Sequence, residues 1–320
     1  MMDHGAQSQS AGGVEAVLRA ELAHADVSAS TVAPILRHLL DNGANSIFSD
    51  AIVAGVRGMA GDLARQLLDA QARSGGEAER LDHPAEAIAA LSSAMTANPA
   101  LLGHLHALAL EWQLTQHLHI RLALDPVLSP LLQAQMASSD PESAALAMKF
   151  LAAQARFCQE QRRMQLPLTE LPGDLLHGAL VAMRTLAGVA DDAQAAAAEN
   201  AIRQEFSEAR SRLGLAARLV TGMGGNAMSA LSITHAGAAL FLTALSLGSG
   251  QDRDLAALST NDSQLVRLAL ALRASGLKQA AVEEVFLALH PDIALPVGFD
   301  QVGADNAAAL LAAAVPHAGG

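Results

Sequence analysis

Aromatic residues and basic charge are both scarce in this chain. Tyrosine is absent, aromatic residues make up 2% of the 320 positions, and the formal net charge is −12. Proteins that bind single-stranded nucleic acids stack the bases on aromatic side chains, and nucleic-acid-binding faces neutralise phosphates with Lys and Arg. We therefore expect no nucleic-acid partner. The basic residues are nearly all Arg, a bias typical of bacterial genomes rich in G and C.

Cysteine is almost absent as well, since Cys158 is the only one. A single cysteine excludes an internal disulfide and suits a reducing compartment. The first residues, MMDHGAQSQSAGG, have neither the basic start nor the apolar core of a signal peptide. These features together predict a cytoplasmic protein of bacterial origin.

Long hydrophobic runs are also missing. The longest stretch without a charged residue, 219–251, contains a continuous apolar segment, AGAALFLTALSL, of only about 12 residues, whereas a helix that crosses a bilayer needs about 20. We therefore expect a buried core helix in this stretch and no membrane span.

Helix-forming residues dominate what is present. Apolar residues make up 51% of the chain and are mostly Ala and Leu, which favour helices, while the residues that favour strands are scarce. The chain is therefore predicted to be all-α, with antiparallel helical hairpins and a C-terminal helical bundle. Gly55, Gly58 and Gly61, spaced by three in one predicted helix, would let a second helix approach closely.

Changes in composition divide the chain into segments. The linker SGGEAER at 74–80 and a proline-bearing connector at 166–173 mark two internal boundaries. The two ends are small and polar or Ala-rich, as is typical of mobile tails. The predicted segments are a disordered tail (1–12), an N-terminal helical segment (13–73), a helical-repeat-like region (81–166), a C-terminal helical domain (173–300) and a flexible tail (301–320).

Prolines in the repeat-like region are regularly spaced. Pro84 and Pro126 are 42 residues apart, and so are Pro99 and Pro141. This interval matches HEAT-like helical repeats, whose period is about 40–47 residues. The side chains between the prolines do not repeat, however, and prolines that only open helices would give equal spacings by chance. The sequence leaves open whether this region consists of degenerate HEAT-like repeats or of unrelated helical hairpins.

Four of the 12 histidines lie in one segment, GHLHALALEWQLTQHLHI. On a single helix His104 and His106 point about 160° apart, as do His117 and His119, because each residue turns by about 100°. His106 and His117 share a face but are about 16 Å apart along the axis. They are too distant to share a metal ion, whose bonds to nitrogen are about 2 Å long. We expect a packing helix with Trp112 and His119 on its buried side.

Two further pairs place a carboxylate and an imidazole three residues apart on a predicted helix, namely Glu21 with His24 and Asp174 with His177. This spacing occurs on two helices of di-iron bundles, which also need a glutamate from each of two more helices. Those glutamates cannot be identified here, and Asp174 follows Pro-Gly as the natural N-cap of its helix. These four residues and the four clustered histidines are the metal candidates, and no metal or cofactor is predicted.

A glycine-rich segment, TGMGGNAMS, precedes another predicted helix. The backbone amides of Gly224, Gly225 and Asn226 could cradle an anion, with Arg218 on the segment before them. A phosphate loop would follow a strand and carry Gly-Lys-Ser/Thr, and neither condition holds. The alternative is that the glycines end one helix and allow a tight turn into the next.

The segment 191–220 is predicted to be one long amphipathic helix with charge pairs at i,i+4 spacing, including Glu199 with Arg203. Arg203, Arg210 and Arg218 make it the most basic part of an acidic chain. We expect these arginines to form a solvated face.

The segment 235–289 has a characteristic order of elements. A helix carrying Phe241 is followed by a short LAAL helix, Asn261-Asp262, the sequence RASGL at 273–277 and a last amphipathic helix. Gly276 is predicted to end the helix before it, and the last helix is predicted to have a core stripe of Val282, Val285, Phe286 and Leu289. This order resembles the C-terminal part of an alphaproteobacterial family of domains of unknown function, number 2336. The resemblance implies a helical, partly HEAT-like, cytosolic protein of alphaproteobacterial origin that acts as a scaffold or regulator. It implies no catalytic residue, because the family has none defined.

No Ser-His-Asp order, nucleophile elbow or pair of catalytic carboxylates is evident in the sequence. The sequence therefore favours a noncatalytic cytosolic scaffold or regulatory protein that acts through protein–protein contacts, for which stacked helical hairpins offer extended surfaces. The alternative is a small-ligand or metal-binding helical-bundle sensor that uses interior histidines. Homo-oligomerisation and an enzyme of unrecognised type are left open.

Overall fold

The computed structural model describes residues 4–42, 50–76, 83–188 and 191–314, with the side chains of 13–37 and 40 in the first range. Every regular element in these ranges is a helix, which confirms the all-α prediction. The ends of the two predicted tails, 1–3 and 315–320, lie outside the described ranges, as do residues 77–80 of the predicted linker.

The α-helices are numbered in chain order. They are α1 (His4–Asn42), α2 (Asp50–Ser74), α3 (Ala85–Thr96), α4 (Pro99–Leu122), α5 (Pro130–Met136), α6 (Pro141–Arg162), α7 (Gly173–Ala187), α8 (Asp192–Glu205), α9 (Arg212–Gly222), α10 (Ile233–Ser249), α11 (Arg253–Leu258), α12 (Leu265–Ala274), α13 (Gln279–Leu289) and α14 (Ala304–Ala313). Short 3₁₀ helices occupy Leu168–Glu170, Glu208–Arg210, Gly224–Leu231, Asp262–Gln264 and Phe299–Gln301.

The helices divide into two compact units. Unit 1 comprises Met1–Val32, Gln113–Met148 and Ala216–Gly320, and unit 2 comprises Ala33–Trp112 and Lys149–Leu215. Each unit is therefore assembled from segments that are far apart in sequence.

All four division points fall inside helices, namely α1, α4, α6 and α9. The boundaries that the sequence suggests near 74–80 and 166–173 do not separate the units, because both lie within the segments of unit 2. Glycine and proline mark the ends of helices. They carry no information about which distant segments pack together, and so composition does not reveal these units.

Helices extend into both predicted tails. α1 begins at His4, inside the disordered tail predicted for 1–12, and α14 occupies part of the flexible tail predicted for 301–320. α14 packs on α12. Its buried residues follow helical spacing and are Ala307, Leu310 and Leu311. An Ala-rich composition is as typical of a packed helix as of a tail, and here the helix forms.

The HEAT-like repeat is not confirmed. Pro99 and Pro141 open α4 and α6, and Pro84 directly precedes α3, but Pro126 lies in a bend before α5. The first pair of helices has 12 and 24 residues, and the second has 7 and 22. The equal proline spacings therefore open helices of unequal length.

The single long helix predicted for 191–220 is wrong. The segment forms α8, a 3₁₀ turn at Glu208–Arg210 and α9, and the chain is extended at Phe206 and Ser207. The predicted i,i+4 pair does form, with Arg203 Nη2 2.8 Å from Glu199 Oε1. The break has a structural consequence, because it directs the first residue of α9 into the interior of unit 2, as described below.

α10 is the central helix of unit 1. It packs against α5, α11, α12, α13 and the 3₁₀ helix Gly224–Leu231. Every residue from 238 to 245 is buried, which confirms the predicted core helix. Near its start Gly237 has φ 71°, and a Cβ there would lie 3.3 Å from the Cβ of Ser129. Glycine is suited to this kink because it accepts positive φ without a steric penalty.

Among the described residues, no single helix combines the length and hydropathy needed to cross a bilayer. The 3₁₀ helix Gly224–Leu231 and α10 meet those criteria only as a pair, and the pair is bent by 111°.

The end of α12 confirms the predicted glycine stop. Gly276 has φ 92°, its N–H donates to the carbonyl of Arg273, and the N–H of Leu277 donates to the carbonyl of Leu272. This pair of hydrogen bonds is the Schellman motif, in which a left-handed residue ends a helix. In α13 the predicted core residues Val282, Val285 and Phe286 are buried, while Leu289 is half-buried. The helices of 235–289 thus follow the expected order.

Unit 2 is organised around α2, which packs against α3, α7 and α8. Its large buried apolar residues recur every three or four residues, the spacing of one face of an amphipathic helix. The large apolar side chains of this face are Ile52, Val56, Met59, Leu63 and Leu67.

The three glycines of α2 do not form one surface for the close approach of another segment. A Cβ on Gly58 would lie 2.4 Å from the Cβ of Met164, which follows α6 and has φ 55°. A Cβ on Gly55 would make an ordinary contact, and one on Gly61 would meet nothing within 4 Å. A spacing of three residues rotates by about 60° per step, because each residue turns by about 100°. Only Gly58 therefore faces the tight approach.

Gly58→Ala should lower the free energy of unfolding by about 1–3 kcal/mol, because the new methyl group overlaps Met164 and the neighbouring backbone must shift. Gly61→Ala is the matched control on the same helix. It should raise the free energy of unfolding by about 0.5–1 kcal/mol, because Ala replaces Gly in open space within a helix. Urea denaturation of both variants measures the difference, and equal effects of the two substitutions would contradict the packing described.

Candidate functional site

The histidine-rich segment forms one continuous helix, α4, as predicted. His104 and His106 are buried, whereas His117 and His119 are exposed. The predicted burial of His119 is wrong, and Trp112 is only half-buried. Every residue from 104 to 111 is buried, so this part of α4 has no polar face. When a helix is buried on all sides, its apolar residues do not form a stripe that marks one buried face.

His119 instead lies at the C-terminal end of α4. Its Nδ1 is 3.0 Å from the carbonyl oxygen of Leu124, just beyond the helix. The four clustered histidines therefore divide into two core side chains and two surface side chains. Within the described part of the chain, no three His, Cys, Asp or Glu side chains form a group that could hold a metal ion.

The two carboxylate–imidazole pairs lie in different units. Glu21 and His24 are exposed on the unit 1 part of α1. In unit 2, Asp174 is in the first turn of α7 but is not its N-cap, since the helix already begins at Gly173. His177 Nδ1 accepts a hydrogen bond of 2.8 Å from Arg203 Nη2. That contact gives His177 a role in packing α7 against α8.

The glycine-rich segment forms a turn between helices. α9 ends at Gly222, Gly224 has φ 52°, and the 3₁₀ helix begins there. The N–H of Asn226 donates to the carbonyl of Met223, so this amide is used within the turn. Gly225 and Arg218 are exposed. The geometry matches the turn alternative, while the anion site stays a prediction.

A buried ion pair in unit 2 was not predicted. Arg212, the first residue of α9, donates from Nη1 to Glu111 Oε1 at 2.6 Å and from Nη2 to Glu111 Oε2 at 3.0 Å. Nη1 also lies 3.2 Å from Gln154 Oε1, and the guanidinium carbon lies 3.6 Å from the centroid of the Phe157 ring. The exposed fraction of the two charged side chains is 2% and 0%. This is a bidentate, fully desolvated pair.

The positive charge of Arg212 is balanced by neighbouring carboxylates. Burial lowers the pKa of Arg212, but the charge and hydrogen bonds of Glu111 and the charge of Glu170 outweigh burial, so the pKa is raised. The backbone N–H of Arg212 donates to Glu170 Oε2 at 2.7 Å. Both terminal nitrogens of the guanidinium are used by protein groups. We therefore interpret this cluster as a structural connection between α4, α6 and α9.

Arg212→Met should lower the free energy of unfolding by about 3–5 kcal/mol, because Glu111 would lose its ion-pair partner in the interior. Adding Glu111→Leu should recover most of that loss, because the double variant removes both charges of the pair. Arg210→Met, at an exposed position two residues away, should change stability by less than about 0.5 kcal/mol. Thermal and urea unfolding measure all three. A double variant as unstable as Arg212→Met would show that the pair contributes more than charge neutralisation.

Unit 1 contains a cavity of about 350 Å³. One wall is a single face of α1, whose lining residues follow helical spacing. The opposite wall comes from α12 and the 3₁₀ turn before it, with Phe286 of α13 and the loop that follows α13. The lining residues are Val17, Leu18, Glu21, His24, Ala25, Asp262, Ser263, Leu265, Val266, Ala269, Phe286, Ile293, Ala294, Leu295 and Pro296. We refer to this cavity as the α1 pocket.

The N-terminal end of the α1 wall is fixed by the last part of the chain. Asn306 Nδ2 of α14 donates to Glu15 Oε1 at 2.8 Å. Gly298, with φ 88°, lies so close to Val14 that a Cβ would be 2.7 Å from its Cγ2. These contacts hold the start of the wall against α14 and the loop that closes the pocket.

The C-terminal end of the α1 wall is fixed by buried polar side chains. Gln264 Nε2 donates to the carbonyl of Ala25 at 2.6 Å, and Arg267 Nη2 donates to Asp26 Oδ1. Arg267 Nε donates to Gln264 Oε1 at 3.1 Å, which orients both side chains. Burial raises the pKa of Asp26 and lowers the pKa of Arg267, while their mutual attraction opposes both shifts. With both ends of the wall attached, the α1 pocket is pre-formed.

The charged side chains at the α1 pocket are acidic. Glu21 and Asp262 are both exposed carboxylates that line it, and His24 lies on the same face of α1 as Glu21. Asp262 Oδ1 is 3.0 Å from His290 Nδ1. Most other lining side chains are apolar. Cavities of about 300–1,000 Å³ with apolar walls and a few polar groups are typical of small-molecule sites.

No similarity to a known protein assists the interpretation of this site. The chain matches no protein-family model, and it has no significant similarity to a curated protein or to a solved structure.

Proposed function

We propose that this chain is a noncatalytic, regulatory binding protein whose α1 pocket holds the apolar part of a small molecule. The observation that supports this function is a pre-formed cavity of about 350 Å³ with mainly apolar walls. A pocket whose walls are already in place binds without a large cost of ordering. This proposal develops the small-ligand alternative from the sequence, with Glu21 and His24 at the site in place of the interior histidines.

The test uses a substitution that fills the pocket. Val266 is a half-buried lining residue of α12, and Val266→Phe would place a ring in the space that a ligand occupies. Val27→Phe is the matched control, because Val27 is on α1, is 63% exposed and does not line the pocket. The probe is 1-octanol, a neutral molecule with an apolar chain, and binding is followed by methyl NMR.

Saturable shifts of the Val17 and Leu265 methyl signals are expected in the unmodified protein. Val266→Phe should weaken 1-octanol binding at least tenfold, about 1.4 kcal/mol, and Val27→Phe should leave it unchanged. The absence of saturable shifts at these methyl groups, or equal binding by the Val266→Phe variant, would contradict the proposal.

Protein–protein contact is the second candidate function, as a scaffold or regulator in the cytosol. It is favoured by two exposed apolar side chains near the ends of α4 and α13 in unit 1. Arg121 Nη1 donates to the carbonyl of Leu289 at 3.2 Å, which joins the end of α4 to the end of α13. Ile120 and Leu287 lie within two residues of this contact in sequence, and they are 75% and 67% exposed. Large exposed apolar side chains can mark interaction sites.

The double variant Ile120→Glu, Leu287→Glu should lose a protein that co-purifies with the unmodified chain, because charged side chains oppose burial in an interface. Val181→Glu, at a 49% exposed position of α7 in unit 2, is the control and should retain it. Affinity purification with mass spectrometry compares the three. Identical co-purifying proteins in all three would remove this surface as the contact site. The resemblance to family 2336, and the cytosolic location with it, stays a prediction.

A further inference from the structure

The α1 pocket has charge of one sign only. Among its lining residues, two carry a formal charge at neutral pH, and both are carboxylates, Glu21 and Asp262. They come from different elements, since Glu21 is on α1 and Asp262 begins the 3₁₀ turn before α12. Both side chains are exposed, which places them at the open side of the cavity rather than in its apolar interior.

Asp262 has a neighbouring protein group and still has capacity for a ligand. His290 Nδ1 lies 3.0 Å from Asp262 Oδ1, so one of the two oxygens of this carboxylate has a neighbouring group. An ionised carboxylate has two oxygens and about four acceptor sites. The contact with His290 therefore leaves acceptor sites for the N–H groups of a bound molecule.

We propose that the ligand of the α1 pocket is a small amphipathic amine. Its protonated nitrogen lies between the carboxylates of Glu21 and Asp262, and its hydrocarbon body extends along Val266 toward Phe286. This inference rests on the proposed function, because it specifies the chemistry of a molecule bound in the same pocket.

Electrostatics distinguish the amine from other ligands of the same shape. A carboxylate ligand would place a third negative charge beside Glu21 and Asp262 in a chain whose net charge is already −12. A neutral alcohol donates only one hydrogen bond to the two carboxylates and neutralises neither charge, so it replaces less of the lost hydration. A protonated amine donates up to three hydrogen bonds and neutralises part of the charge.

The experiment compares three ligands with the same tail, namely octylamine, 1-octanol and octanoate, by isothermal titration calorimetry at neutral pH. Octylamine should bind about fivefold more tightly than 1-octanol, the scale of one or two exposed ion pairs, and octanoate should bind most weakly. Raising the salt concentration should reduce the octylamine advantage, because the pairs are exposed to solvent.

Two isosteric variants test whether the carboxylates of Glu21 and Asp262 bind the amine. Glu21→Gln and Asp262→Asn should each weaken octylamine binding about twofold to threefold and leave 1-octanol binding unchanged. Asparagine has the same shape as aspartate and keeps an oxygen in place of Oδ1, so the Asp262→Asn variant tests the charge rather than the size of the side chain. Glu283→Gln, at an exposed carboxylate of α13 that does not line the pocket, is the control and should bind octylamine as the unmodified protein does.

The outcomes separate the two proposals. If octylamine and 1-octanol bind equally, or octanoate binds most tightly, and Val266→Phe weakens them all, the pocket binds small molecules and the amine assignment is overturned. If no ligand binds, or Val266→Phe leaves binding unchanged, the proposed function fails and the amine assignment fails with it. Loss of octylamine preference in both Glu21→Gln and Asp262→Asn, but not in Glu283→Gln, supports the assignment.

Discussion

The structure of unit 2 depends on the neutralisation of one buried guanidinium. Arg212 is shielded from solvent, so its charge must be met by Glu111 on α4, and its planar group is packed against Phe157 on α6. These requirements fix where α9 begins, and the extended residues before it follow from them. Such a pair adds little net stability compared with apolar side chains of the same size. Its effect is to define which helices meet and in what register.

Unit 1 uses the same principle at a less buried position. Arg267 is fully buried, and its partner Asp26 is 20% exposed, so the pair with Gln264 attaches α1 to α12 while part of the carboxylate stays near water. Because this attachment is at one end of the α1 wall and Asn306 is at the other, the pocket between them owes its shape to polar contacts. Its lining, by contrast, is mainly apolar and includes the two carboxylates of Glu21 and Asp262.

Local signals in the sequence predict local structure well here. The all-α class, the continuous α4 helix, the glycine stop after α12 and the buried α10 helix are all confirmed, because each depends on residues within a few turns of one another. The predicted buried side of α4 is wrong, since a helix surrounded by protein has no polar face to mark the opposite one. Arg212 is indistinguishable in sequence from Arg210, and only contacts with residues 42 to 101 positions away make it a core residue. The pocket could not be predicted for the same reason. Glu21 is a candidate from its spacing to His24, but Asp262, which lines the same pocket, lies far along the chain.

The division of the chain within four helices has a consequence for synthesis on the ribosome. Unit 2 has all its segments once residue 215 has been made, whereas unit 1 begins with the first residues and needs the last third of the chain. The carbonyl of Ala25 and the carboxylate of Asp26 meet partners 239 and 241 residues later. At about 5–20 residues per second, the first segment of α1 waits roughly 12–48 seconds for them. During that interval its apolar face is open to chaperones, to premature pairing with other nascent chains, or to any small molecule that can cover it.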